Sequence, residues 1–531
     1  MDRSGEPKLI ATRTPPASGR QRGPERGLRL LPRLRALGAW RDGDSVEGLV
    51  ALALLGGLSE LFLLILLERF PLTKWFPSAP TSLGFPQQMS GSWSADARWI
   101  TLVMAAPFLA YVPALFYVRS LRGRLAGAIV VLWGVVFGIT LLNLYPITAA
   151  DVFHYLADAR TLWVYHANPM LTPPAAHPFV IGISWAEQPS PYGSLWQLLA
   201  VIPVALTGDH WVASLIGFKA MGLVSVLVCS AFIYLIVRRS LPGRQNFALL
   251  LFLWNPFVVF RAVGNGHNDL TMMAFALAGF YCVQLRRWRW ALPLLALSVC
   301  IKYSTALIVP PVLLYGWASS DRSERRELAV GAAIAAVTAI VVFAPFWRGF
   351  DTFKTFVQNT NLHISALPEW FAIWLQPHYS QSQAESIAKN GGYLLFAAAY
   401  LAMLYRLWRR PSFSRLVAVC ALTFIAYLAL CTWWFRPWYF LWFIPLAALL
   451  PDGWWPWVIV GTALGSTFFD IVEQYRVHSS WLMATDFRAY GAPVFFAFVP
   501  LLLLLLLGAL VCRSWTLARA DAPCHDALVE P

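Results

Sequence analysis

The chain has 531 residues, 58% of them hydrophobic and 15% aromatic, and only 13% charged. Apolar runs near the roughly 20 residues needed to cross about 30 Å of hydrocarbon recur along it, which argues against a soluble globular domain and predicts an all-α polytopic membrane protein. The net charge of +14 does not signal a nucleic-acid partner: the arginines precede the first run or fill short loops between runs, where positive charge marks the cytoplasmic side and meets anionic lipid headgroups.

Residues 1–48 read as a basic cytoplasmic segment, and the first run, 49–67, as a retained signal anchor. Spans at 99–118 and 125–144 then place 145–210 outside, with 196–206 apolar but short, as for an interfacial or re-entrant helix. Residues 211–237 return inward. Paired segments follow at 247–262 and 269–285, then at 290–302 and 304–318, the second pair turning at Lys302-Tyr303-Ser304. Segments at 328–346, 391–407, 414–434, 438–450, 454–470 and 491–512 complete a membrane-embedded domain, 49–512, of about 14 helices. Both termini are expected in the cytoplasm, including the tail 513–531, and 347–390 and 471–490 are expected outside.

Seven cysteines form no CxxC pair, so neither a zinc cluster nor a disulfide framework is indicated. No internal repeat supports a transporter built from matching halves, and no Walker or Gly-rich strand-to-helix motif supports a nucleotide. Glu60, inside the first span, reads chiefly as a polar packing residue, with an ion pathway as the alternative.

The chemistry gathers where the third span ends. A short helix beginning at Asp151-Val152-Phe153-His154-Tyr155 puts Asp151 and Tyr155 on one face. Asp151 is then a helix cap or a reachable base, and Tyr155 a site residue or an interfacial anchor; both pairs of readings stay open. Asp158 suits a sugar hydroxyl or a divalent cation, or a salt bridge with Arg160. In Ser190-Pro191-Tyr192-Gly193-Ser194 a shaped turn presents Tyr192, which can cover a sugar ring.

Gly264-Asn265-Gly266-His267-Asn268-Asp269 offers His267, Asn268 and Asp269 to a phosphate-linked sugar, or is simply a polar turn. Lys302, aided by Arg261 or Arg436, suits a phosphate; each of these cations could instead snorkel to lipid or pair with an acid. The aromatic stretch 433–442 reads first as an interfacial belt. His363, Glu369 and Trp370 are candidates for the acceptor side.

These motifs, taken in order with Asn168-Pro169, Lys302-Tyr303-Ser304-Thr305-Ala306-Leu307 and Trp438-Tyr439-Phe440-Leu441-Trp442-Phe443-Ile444-Pro445, resemble the GT-C superfamily. The branch they resemble is the mycobacterial-type, polyprenol-phosphate-mannose-dependent alpha-mannosyltransferases of bacteria. The resemblance implies a polyprenyl-phosphate sugar donor, transfer on the noncytoplasmic face of the plasma membrane, and the acid of the first outer catalytic loop, here Asp151, as base. Two departures stand out. Two spans precede that loop's own span, and Ser194 stands where such proteins often carry Pro.

A donor of this kind must lay its isoprenoid in the bilayer and its phosphate and sugar in a wet cavity at headgroup level. The expected reaction is inverting transfer of a hexose, mannose ahead of glucose or arabinofuranose, to a lipid-linked glycan or glycolipid. Asp151 would take the acceptor proton. Tyr155, Asp158, Tyr192, His267, Asn268, Asp269, Lys302, His363 and Arg436 would bind substrate. No cofactor is assigned, and a divalent cation stays open: Asp151, Asp158, His154 and His267 include possible ligands, but their spacing does not establish convergence and no metal ligand is assigned. No second carboxylate is required as acid, since phosphate is already a stable leaving group. A lipid-linked-sugar transporter or flippase is the alternative from another class.

Overall fold

A computed structural model describes residues 44–75, 103–178, 185–359, 362–363, 365–451, 453–475 and 479–520. Most of the expected basic segment 1–48, and residues 521–531 of the expected tail, lie outside these. The chain is an all-α polytopic membrane protein, with no strand among the described residues. Among the described residues eight helices are long and apolar enough to cross a bilayer: Val46–Arg69, Arg124–Leu142, Trp211–Ser240, Arg322–Phe343, Gln381–Arg409, Phe413–Leu430, Trp455–Glu473 and Asp486–Gly508. Helices Gln245–Leu253 and Pro256–Gly264 make a further crossing if taken as one span bent by 52°. The remaining expected segments are the shorter apolar helices Val103–Val118, Asp269–Gln284 and Trp288–Ile301, with Val309–Ser319 after a 3-10 turn at Tyr303–Ile308.

The bend has a local cause. Pro256 lacks an N–H and ends the helical ladder, while the Asn255 side chain accepts from the Phe257 amide at 3.1 Å and restarts it. Residues 438–450, expected as a span, are instead a 3-10 turn, Pro437–Trp442, and a short helix, Ile444–Ala447, both buried. Pro445 withholds an amide that one continuous helix would need. Helix Gln381–Arg409 starts earlier than hydropathy suggested because Ser380 caps it through a box with Gln383.

Glu60 is buried and accepts a hydrogen bond from Thr140 of helix Arg124–Leu142, as expected of a polar packing residue. The loop after that helix is anchored early: Leu72 donates to the Asn143 carbonyl at 2.7 Å, and Tyr145 to that of Phe70 at 2.8 Å. Three helices carry arginines at one end and candidate site residues at or near the other. Arg124–Leu142 runs from a basic loop to residue 144, Asp269–Gln284 from Asp269 to Arg286, and Trp288–Ile301 from Arg289 to Lys302. Arginines gather at one end of these helices and the residues singled out above at the other.

Candidate active site

Asp151 is the first residue of helix Asp151–Trp163; Ala150 holds the cap position and no side-chain cap is made. The capping role is therefore not what the structure shows. The carboxylate turns aside: Tyr192 Oη donates to Oδ2 at 3.3 Å, and His267 Nδ1 stands 3.5 Å from the same oxygen. The Asp151 side chain is 25% exposed and that of His267 is 0%. A ligand can reach the carboxylate but not the imidazole, so of the two Asp151 is the group able to act on a substrate. Its place in the first turn also sets a negative charge at the positive end of the helix.

His267 follows a sharp turn at Gly266, whose φ of +73° is open to glycine and strained for other residues. The imidazole stacks on Trp438, centroids 4.2 Å apart. Thr148 Oγ1 accepts from Arg261 Nη1 at 2.6 Å and from Asn265 Nδ2 at 2.7 Å, tying the Asp151 loop to the His267 loop. Arg261 has no exposed surface, so the phosphate-binding role considered for it gives way to this structural one.

Tyr192 is set by Gly193, whose amide donates to the Ile301 carbonyl at 3.0 Å; a Cβ there would stand 2.1 Å from the Cys300 oxygen. Only glycine lets the turn press so closely on the end of helix Trp288–Ile301. Lys302, the next residue of that chain end, lies 5.9 Å from the Tyr192 ring centroid. Tyr155 is buried edge-on against Tyr192 and Trp196, centroids 5.0 and 4.8 Å away, so it is not an interfacial anchor.

Lys302 Nζ is 2.6 Å from Asp269 Oδ1, which also accepts from Trp442 Nε1 at 2.5 Å. The rings of Tyr439 and Trp442 lie 5.1 and 5.6 Å from the ammonium. Trp433, Trp438 and Trp442 are buried. The expected interfacial belt is thus, at these three positions, packing inside the protein. Its residues lie on a 3-10 turn and an irregular stretch, whose direction residue types alone do not reveal.

Arg436 Nη1 meets both oxygens of Glu473, at 3.0 and 3.1 Å, and Ser365 Oγ donates to Oε1 at 3.4 Å. Glu473 was not singled out from the sequence, although a carboxylate at the end of an apolar helix is a signal for functional pairing. Burial alone would raise the Asp151 carboxyl, but the His267 imidazole, Lys302 and Arg436 outweigh it and hold that carboxyl below the usual carboxylate range. Burial lowers His267, against the pull of Asp151, which favours the neutral imidazole.

The remaining candidates divide. Asn268 is buried beside His267, and neither atom of its amide has a hydrogen-bond partner. Asp158 is buried with His154 Nδ1 at 3.4 Å, while Arg160 pairs with Asp209 at 2.8 Å, so the Asp158–Arg160 bridge weighed as the alternative to a binding role is not made. His363 is exposed and lies over Trp433, centroids 4.7 Å apart, rather than against Asp151. Glu369 accepts from the Ala366 amide at 3.3 Å and Trp370 packs on Phe487, so both serve the start and packing of helix Leu367–Leu375. Among the described residues no three His, Cys, Asp or Glu side chains converge as metal ligands.

Fold and site together define a multi-pass membrane protein that holds a partly exposed carboxylate, Asp151, among half-buried cations and aromatic rings. Residues 74–319 match the family model described as the N-terminal domain of alpha-(1->6)-mannopyranosyltransferase, a range that takes in Asp151, Tyr192, His267 and Lys302. The chain is 24% identical over 225 residues to alpha-(1->6)-mannopyranosyltransferase A of Corynebacterium glutamicum, covering 38% of this chain and 45% of that protein. It is 26% identical over 223 residues to alpha-(1->6)-mannopyranosyltransferase B of the same organism, covering 37% and 36%. With alpha-(1->6)-mannopyranosyltransferase A of Mycobacterium tuberculosis the identity is 26% over 209 residues, covering 38% and 40%. The matches span less than half the length of each relative. The resemblance to mycobacterial-type alpha-mannosyltransferases of the GT-C kind stands.

Proposed function

We propose that this chain transfers mannose, with inversion, from a polyprenyl-phosphate donor to a hydroxyl of a lipid-linked glycan or glycolipid. The observation that carries this is the Asp151 carboxylate: reachable, held by Tyr192 and His267, and flanked by the charges of Lys302 and Arg436. Asp151 accepts the acceptor's proton as that oxygen attacks the anomeric carbon, and the polyprenyl phosphate leaves from the opposite face. A beta-linked donor then gives an alpha-mannoside, the linkage named for the relatives.

Arg436 and the unspent N–H groups of Lys302 face the leaving phosphate, where charge-assisted hydrogen bonds are strongest. In this scheme Tyr192 covers the sugar.

The arginine-rich ends of the three helices described above favour the cytoplasm. We accordingly place Asp151 on the noncytoplasmic side of a bacterial plasma membrane and both termini inside. No metal or cofactor has a part in this scheme. Purified protein incubated with polyprenyl-phosphate [14C]mannose and glycolipid acceptors is expected to form an alpha-mannoside. Transfer of glucose or arabinofuranose in its place would reassign the donor, and movement of an intact lipid-linked sugar across the bilayer without product would replace the enzyme by a flippase.

A further inference from the structure

Helix Trp211–Ser240 carries a lysine, Lys219, with no exposed surface. An ammonium group inside an apolar span is costly unless bonded, and among the described residues no carboxylate pairs with this one. Its Nζ donates instead to the carbonyl of Leu144. That oxygen lies just past the end of helix Arg124–Leu142, where carbonyls lose their intrahelical partners.

The same side chain has a second neighbour. The Lys219 Cγ lies 3.4 Å from where a Cβ on Gly266 would stand, and the Lys219 helix packs on the turn Phe260–Gly264. Leu144 leads into the loop that ends at Asp151, and Gly266 precedes His267. One buried side chain therefore bonds the backbone leading to Asp151 and lies beside the turn leading to His267.

We propose that Lys219 is a positioning residue: by holding the Leu144 carbonyl and backing the Gly266 turn, it sets the separation of Asp151 and His267. It touches no substrate. Its effect on catalysis rests on the glycosyl-transfer function proposed above, whereas its effect on the two loops does not. A base displaced by about 1 Å is enough to cost on the order of 100-fold in rate.

Two variants of the full chain separate positioning from bulk stability. Lys219→Met keeps the length and loses the donor; Lys219→Gln keeps an N–H donor on a shorter stem. In Lys219→Met, hydrogen exchange at the amides of residues 145–151 and 265–268 is expected to quicken by about tenfold or more. Helices away from the site keep wild-type exchange. In the transfer assay kcat falls by about tenfold or more while KM for the polyprenyl-phosphate mannose stays within about twofold. Lys219→Gln recovers part of both.

Wild-type exchange and kcat in Lys219→Met would overturn the proposal. So would faster exchange throughout the chain with kcat and KM changed alike, the pattern of a merely structural lysine. If the wild type itself makes no mannoside, the transferase function fails, and exchange confined to the two loops, or absent from them, still decides the role of Lys219.

Discussion

Lys302 and Asp269 are bound to each other at 2.6 Å, with the carboxylate at 0% exposure and the ammonium at 15%. The pair joins the ends of helices Trp288–Ile301 and Asp269–Gln284, and Trp442 adds the aromatic turn to it. A buried carboxylate stripped of its cation is costly. Lys302 therefore cannot leave Asp269 to meet a phosphate; it can serve a donor only with the N–H groups that face away from Asp269.

Lys302→Ala is accordingly expected to destabilise the protein by about 3–5 kcal/mol, by stranding Asp269. Thermal unfolding in detergent measures this. Adding Asp269→Asn removes the stranded charge and keeps an acceptor for Trp442. The double variant is expected to regain most of the stability and still bind polyprenyl-phosphate mannose about tenfold more weakly. Wild-type unfolding of Lys302→Ala alone would show that the pair is not a structural knot.

The pH dependence follows from what surrounds Asp151. Its carboxyl is held below the usual range by His267, Lys302 and Arg436. Transfer that needs the carboxylate is therefore present above that depressed value and is lost as pH falls through it. Replacing Arg436 with Gln, with Glu473→Gln alongside to avoid a stranded acid, removes one of the charges that lower it. The acid limb of kcat/KM is expected to move to higher pH, and a limb unmoved in the double variant would mean that Arg436 does not act on Asp151.

Gly193→Ala places a methyl group 2.1 Å from the Cys300 carbonyl, closer than any real contact. The turn must back away, costing about 1–3 kcal/mol as an overpacked site does and carrying Tyr192 off Asp151. Calorimetry or thermal unfolding checks the first effect and transfer kinetics the second. An alanine variant with wild-type stability and rate would mean that the turn has room that the geometry denies it.

Much of this site was open to a reader of the residues, because its parts are polar groups at the ends of apolar runs. Asp151, Tyr192, His267 and Lys302 each follow or precede a hydrophobic segment, and the end of a segment is a position that hydropathy does locate. Depth and direction were not open in the same way. Trp438 and Trp442 have the composition of a membrane-interface belt, yet face inward, because proline-driven 3-10 winding breaks the periodicity that would show which way they point. Lys219 hid inside a run whose average is apolar, and Arg261 looked like a phosphate ligand because its partner Thr148 is remote in sequence. His363 and Glu369 lie in another segment expected outside, where their contacts are with Trp433 and the Ala366 amide rather than with Asp151.

The most direct measurement of the central claim is single-turnover mannosyl transfer by Asp151→Asn, with donor binding and thermal unfolding measured on the same preparation. The amide keeps the size of the carboxylate and can still accept from Tyr192, but it cannot take the acceptor's proton. The account predicts near-normal unfolding, donor affinity within about threefold of wild type, and transfer slower by roughly 10²–10⁴. Transfer at close to the wild-type rate by a folded, donor-bound Asp151→Asn protein would contradict it.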